Sequence, residues 1–208
     1  MPIPFNPDKQ FLFRVGCHSF PVEWDTLRTW PKLLEACEED QLDLFKFMEL
    51  HQAFCCIRII KSKTGGAEDY PPPKLEPTSC PIEHACDLFT YHFKIYEFAA
   101  RYEIGTLHDL SFHYLKLAAD QMSFPLLAGT LSKLNHDFSE QEQTFIQYME
   151  DRAKMVGETI TNEDHALVQE DWQFDQTLET FLIDKIVIMQ MEIQQLKAAA
   201  ATNNEESQ

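Results

Sequence analysis

The stretch Leu88–Leu117, LFTYHFKIYEFAARYEIGTLHDLSFHYLKL, limits what this chain can fold into. Phe89, Phe93, Tyr96 and Ala100 stand four, three and four residues apart, which places them on one face of a helix. Leu107, Leu110, Tyr114 and Leu117 follow at three, four and three. Between the two runs, Gly105 is predicted to take the positive φ that ends a helix, and Thr106 to cap the next one. The small pair Ala99-Ala100 leaves room for another element to come close. A helical hairpin with an aromatic inner face is not stable alone in water, so the rest of the chain must supply a platform.

The residues before the hairpin read as that platform. Pro2, Pro4 and Pro7 make residues 1–9 an extended leader. Phe11, Phe13 and Val15 alternate with Leu12 and Arg14, which predicts a strand over 10–15. After the turn Gly16-Cys17-His18, a second strand over 19–24 carries Phe20, Val22 and Trp24, with Pro21 suited to a sheet edge. Asp25 is the expected cap of a helix presenting Leu27, Trp30, Leu33 and Leu34, broken near Trp30 by Pro31. A third strand is predicted over Phe45–Leu50, with a helix as the alternative. A short helix over 51–61 then carries Phe54, Ile57 and Ile60 at three-residue spacings. Six prolines and glycines make 63–79 a loop.

Beyond Asp120 the texture changes. Phe124-Pro125 marks a junction, and Leu126, Leu127, Leu131 and Leu134 suggest a short helix. Residues 135–180 hold 12 acidic side chains against Arg152 and Lys154, with Phe138, Phe145, Ile146, Met149 and Met155 as an apolar stripe. Thr161-Asn162-Glu163-Asp164 resembles a helix start. Residues 178–201 read as a long helix whose Leu182, Ile186, Met189, Ile193 and Leu196 form a seam of two heptads. That seam is too short to hold a coiled coil alone and is expected to dock on the rest of the extension, with self-association as the alternative. Residues 202–208 are expected to be a disordered tail.

The order strand, turn, strand, helix, strand, helix, loop and helical hairpin resembles the BTB/POZ fold. FLFRVGCHSFPVEWDTL (Phe11–Leu27) is similar to that family's opening hairpin and first helix. FMELHQAFCCIRII (Phe47–Ile60) is similar to its third strand and next helix. The nearest likeness is IYEFAARYEIGTLHDLSFHYL (Ile95–Leu115), where Tyr96, Ala99 or Ala100, Tyr102, Ile104 and Leu107 fit the family's pattern. The chain is most similar to the divergent BTB-like proteins common in filamentous fungi. It departs from the pattern at Glu23-Trp24, where the family has a histidine, and at the proline loop, where it has a paired strand. The resemblance implies an α+β fold, a small sheet capped by helices over 10–120, followed by an acidic all-helical extension over 121–201. It also implies homodimerisation or adaptor binding, by proteins that serve cullin-type ubiquitin ligases or transcriptional regulators. The first helix, with Leu27, Trp30 and Leu34, contributes to dimers in many such proteins.

Chemistry is sparse. Cys80, His84 and Cys86, with His92 beyond, lack the spacing of a zinc knuckle. Cys55 and Cys56 are adjacent, so one is expected in the core and one outside. No Gly-x-Ser-x-Gly turn is present, and Gly65-Gly66 opens a proline loop and not a phosphate-binding helix. Glu163-Asp164 and Glu170-Asp171 lack the alternating ligands of a calcium loop. A net charge of −17 opposes direct binding to nucleic acid or to an anionic membrane. Six cysteines without a secretory leader suggest free thiols in the cytosol or nucleus. The expectation is therefore a non-catalytic protein-interaction module with no cofactor or metal, binding a protein partner or a second copy of itself. Leu27, Trp30, Leu34, Phe112, His113 and Lys116 are the candidate contacts. Two alternatives are a small enzyme with an unrecognised Cys/His site and a mainly helical scaffold.

Overall fold

The computed structural model describes residues 10–37, 41–44, 48–62, 70, 81–134, 143–154, 162, 186–197 and 199. The fold is α+β, a three-stranded mixed sheet with a majority of helix. The chain divides into two compact units, Met1–Ala118 and Ala119–Gln208.

In the first unit, β1 (Gln10–Val15) and β2 (His18–Glu23) pair antiparallel, with Phe13 opposite Phe20 and Leu12 opposite Pro21. Alternation does the sorting: Phe11, Phe13 and Val15 are buried, while Leu12 and Arg14 face out. Gly16, at φ +58°, supplies the left-handed residue that the two-residue turn requires. β2 lies at the sheet edge, where Pro21 has no N–H to offer a further strand. β3 is Gln41–Asp43 and runs parallel to β1, pairing Leu42 with Phe13. Of the strand expected over Phe45–Leu50, Met48 and Glu49 are not strand. Leu50 opens helix α3 (Leu50–Lys61), and Phe45–Phe47 lie outside the described residues. Glu49 begins that helix as a capping box: its backbone N–H donates to Gln52 Oε1 at 2.7 Å.

Helices α1 (Trp24–Leu27) and α2 (Pro31–Glu35) are separated by a break at Arg28–Trp30, and Pro31 opens the second. Asp25 is not the cap, because helix begins one residue before it. Trp24 stacks on Phe11 at 5.8 Å between ring centres.

Helices α4 (Pro81–Arg101) and α5 (Gly105–Ala119) form the hairpin. Here the left-handed residue is Glu103, at φ 55°, not Gly105, which is already helical. The Ile104 N–H donates to the Ala99 carbonyl at 2.9 Å and the Glu103 N–H to that of Ala100 at 3.3 Å. That pair is a Schellman cap, which closes the last carbonyls of α4. Thr106 is likewise inside α5 and caps nothing. The Lys32 ammonium meets the Glu103 carboxylate at 2.6 Å, tying α2 to this turn.

α4 has two apolar faces. Tyr91, Ile95, Phe98 and Tyr102 repeat the four-three-four spacing and join the core formed with the sheet and α3. Phe89, Phe93 and Tyr96 are offset from them by two residues and are also fully buried. The platform therefore receives a different stripe from the one that stands out in the sequence. Gln52 links the helices: its Nε2 donates to the Tyr91 carbonyl at 3.2 Å. On α5, Leu107 is buried but Leu117 is 48% exposed, so the expected stripe ends early.

The second unit contains α6 (Phe124–Lys133), α7 (Gln143–Ala153) and a helix over residues 186–197, termed α8. Phe124, Ala128 and Val187 form a small core, with Met149, Ala153 and Met191 packed against it. Arg152 fastens α7: its guanidinium donates to the carbonyls of Ala119 (2.9 Å) and Met122 (2.6 Å) and meets Asp120 at 3.2 Å. Tyr148 adds a hydrogen bond to the same carboxylate at 2.8 Å. Phe138, Met155, most of Thr161–Asp164 and Leu182 lie outside the described residues.

Candidate interaction surface

The six sequence-derived contact residues do not form one surface. Leu27 is wholly buried in the core, so it offers no side chain to a partner. Trp30 and Leu34 are half-buried, packed on the core from α2 and the break before it. On α5, Phe112 is half-buried with its ring 5.8 Å from that of Tyr96. The Lys116 ammonium sits over the Phe112 ring, 5.1 Å from its centre, in cation–π geometry. His113 is exposed and stands edge-on to Tyr114 at 5.3 Å. A Lys32–Glu103 ion pair links α2 to the hairpin.

Sequence reasoning missed the more exposed aromatic group. Phe54 shares its three-residue spacing with the buried Ile57 and Ile60, yet it is 46% exposed. The buried side of α3 is Ala53, Cys55, Cys56, Ile57, Ile59 and Ile60, together with Gln52. Phe54 meets Phe20 of β2 edge-to-face, 4.8 Å between ring centres. His18 stacks next along the strand, 6.4 Å from Phe20. No local pattern pairs residue 20 with residue 54; only the crossing of α3 over the sheet does so.

A cluster of buried polar groups with altered chemistry sits inside the first unit. The Tyr70 hydroxyl and His92 Nδ1 are 2.7 Å apart. Tyr70 stacks on Tyr114 at 4.9 Å with the rings nearly parallel, and Tyr91 stands edge-on to His92 at 5.1 Å. Burial lowers His92 from 6.5 to about 4, so its imidazole is neutral at physiological pH. Burial pushes the Cys55 thiol up to about 12 against the opposing pull of Arg58, and also raises Cys56 well above the usual thiol range. It also raises Tyr70 and Tyr91. Both cysteines are in the core, not one in and one out. A nucleophilic thiol needs a lowered pKa and access, and this pair has neither. The cluster is suited to holding α3, α4 and Tyr70 together.

Among the described residues, no three His, Cys, Asp or Glu side chains gather as a metal-holding group. Cys80, Gly65-Gly66 and the Glu163–Asp171 acidic pairs are outside the described residues, and His92 is engaged with Tyr70. No described helix is long and apolar enough to cross a membrane. The chain matches no protein-family model, no curated protein and no solved structure.

Proposed function

We propose that this chain is a non-catalytic protein–protein interaction module, an adaptor or scaffold whose first unit is BTB/POZ-like. The observation that carries the proposal is Phe54. On a helix otherwise buried along its apolar side, it stands half in water and is braced edge-on by Phe20. An aromatic ring held rigid at the surface is the kind of anchor that dominates protein interfaces, because little side-chain entropy is lost when a partner covers it. Pro21, next to Phe20 on the edge strand β2, discourages strand addition, so a partner would dock through side chains. The element order and the small sheet capped by helices support the BTB-like assignment. The net charge of −17 favours a protein partner over nucleic acid. Free thiols at Cys17, Cys55 and Cys56 suit the cytosol or nucleus.

The test is affinity capture by the full chain, comparing wild type with Phe54→Glu, while circular dichroism checks that the fold is kept. The expected result is a defined partner set recovered by wild type and lost from the variant. Equal recovery by both, or no partner with either, would count against the proposal.

A further inference from the structure

α8 is amphipathic in two directions, and only one of them is used within its own unit. Val187 is wholly buried and Met191, one turn on, packs beside it against Phe124 and Ala128. The heptad seam lies about 150° around the helix from that pair. It is exposed: Ile186 is 39%, Met189 53%, Ile193 41% and Leu196 70% accessible. The expectation that the seam docks on the extension is therefore overturned. The helix docks by its opposite side, and its best-patterned apolar face points outward.

We infer that this seam is a self-association surface: α8 pairs with α8 of a second copy as a short parallel coiled coil. Three observations select that occupant. First, Ile186 and Ile193 fall at the a positions and Met189 and Leu196 at d, and branched residues at a with Leu at d favour two parallel strands. Second, the flanking charges are complementary to themselves. Glu192 falls at g and Lys197 at the following e, both exposed, so in a parallel pair each Glu192 faces the partner's Lys197. An antiparallel pair would set Glu192 against Glu192. Third, α8 holds one acidic and one basic residue and is locally neutral, in a chain of net charge −17. Two copies can meet here without the repulsion that most of this surface would impose.

Length does not forbid the pairing. Twelve residues span ~18 Å, too little for isolated helices to order themselves and pair. Here Val187 and Met191 already hold α8 as a helix, so its ordering cost is met before association. The contact is small, below the roughly 1,200 Å² of a stable interface, so it forms a reversible dimer in the micromolar range. The inference goes beyond the proposed partner site on the first unit and does not depend on it.

The experiment is sedimentation equilibrium of the full chain from micromolar to several hundred micromolar. Wild type should shift reversibly from monomer to dimer. Ile193→Lys, at an already exposed position, should keep its helical circular dichroism and raise Kd at least tenfold. Glu192→Lys should weaken association by several-fold, and Glu192→Lys combined with Lys197→Glu should restore it. A wild-type monomer throughout would overturn the inference. So would a dimer that Ile193→Lys leaves unchanged, which would place self-association elsewhere in the chain.

Discussion

α4 and α8 carry the same apolar rhythm and meet opposite fates. Phe89, Phe93 and Tyr96 recur at four and three and are fully buried; Ile186, Met189, Ile193 and Leu196 recur at three, four and three and are exposed. The difference lies in what surrounds each stripe. On α4 a second stripe, Tyr91, Ile95, Phe98 and Tyr102, runs down the other side, so the helix is apolar nearly all round and is enclosed. On α8 the remaining positions are Ile188, Gln190, Glu192, Gln194, Gln195 and Lys197, five of the six polar, and Val187 and Met191 hold one narrow contact. Periodicity identifies a helix with a sided surface. The residues off the stripe decide how many neighbours that helix needs.

The contrast can be broken most forcefully in α4. Phe98→Ala removes a ring from the enclosed side and should cost about 3–5 kcal/mol of stability, read as a lower urea midpoint at unchanged slope. A loss under 1 kcal/mol would mean that the two-sided burial of α4 is not what holds the first unit together.

The next effect is a pH dependence on the same helix. The folded chain keeps His92 neutral down to about 4, while the unfolded chain takes up a proton below about 6.5. Stability from this group is therefore complete above about 6.5 and is lost as pH falls toward 4, by on the order of 3 kcal/mol. Urea unfolding at pH 7 and pH 4.5 measures it. His92→Phe should flatten the difference between those two conditions relative to wild type, and an equal difference in both proteins would refute the assignment. The smallest effect belongs to α8: Leu196→Ser should change the unfolding free energy of dilute protein by less than ~0.5 kcal/mol, since the side chain is mostly in water.

The first hairpin was legible because β1 and β2 are long enough to alternate and Gly16 marks their turn. β3 was not, because Gln41–Asp43 is too short to show a period; its parallel pairing with β1 is a tertiary choice. The turn of the helical hairpin was located correctly but assigned to the wrong residue. Helix α4 ends at Arg101, so the Schellman position falls on Glu103, and Gly105 arrives two residues too late to serve. The break at Pro31 was readable from covalent geometry alone. Among the candidate contacts, Leu27 shows the limit most plainly: a leucine on a short helix reads the same whether it faces the core or a partner. Phe54 failed for the converse reason, since an apolar residue at three-residue spacing from Ile57 looks buried until the position of β2 is known.

The paired thiols of α3 have a consequence for how this protein can be followed in solution. Cys55 and Cys56 are sealed and held protonated, while Cys17 lies at the surface. A thiol reagent would meet Cys17 at once and the α3 pair only when the core opens. Followed at Cys17, Cys55 and Cys56, labelling would give an early signal from the β1–β2 turn and a late one that advances at the rate of core opening.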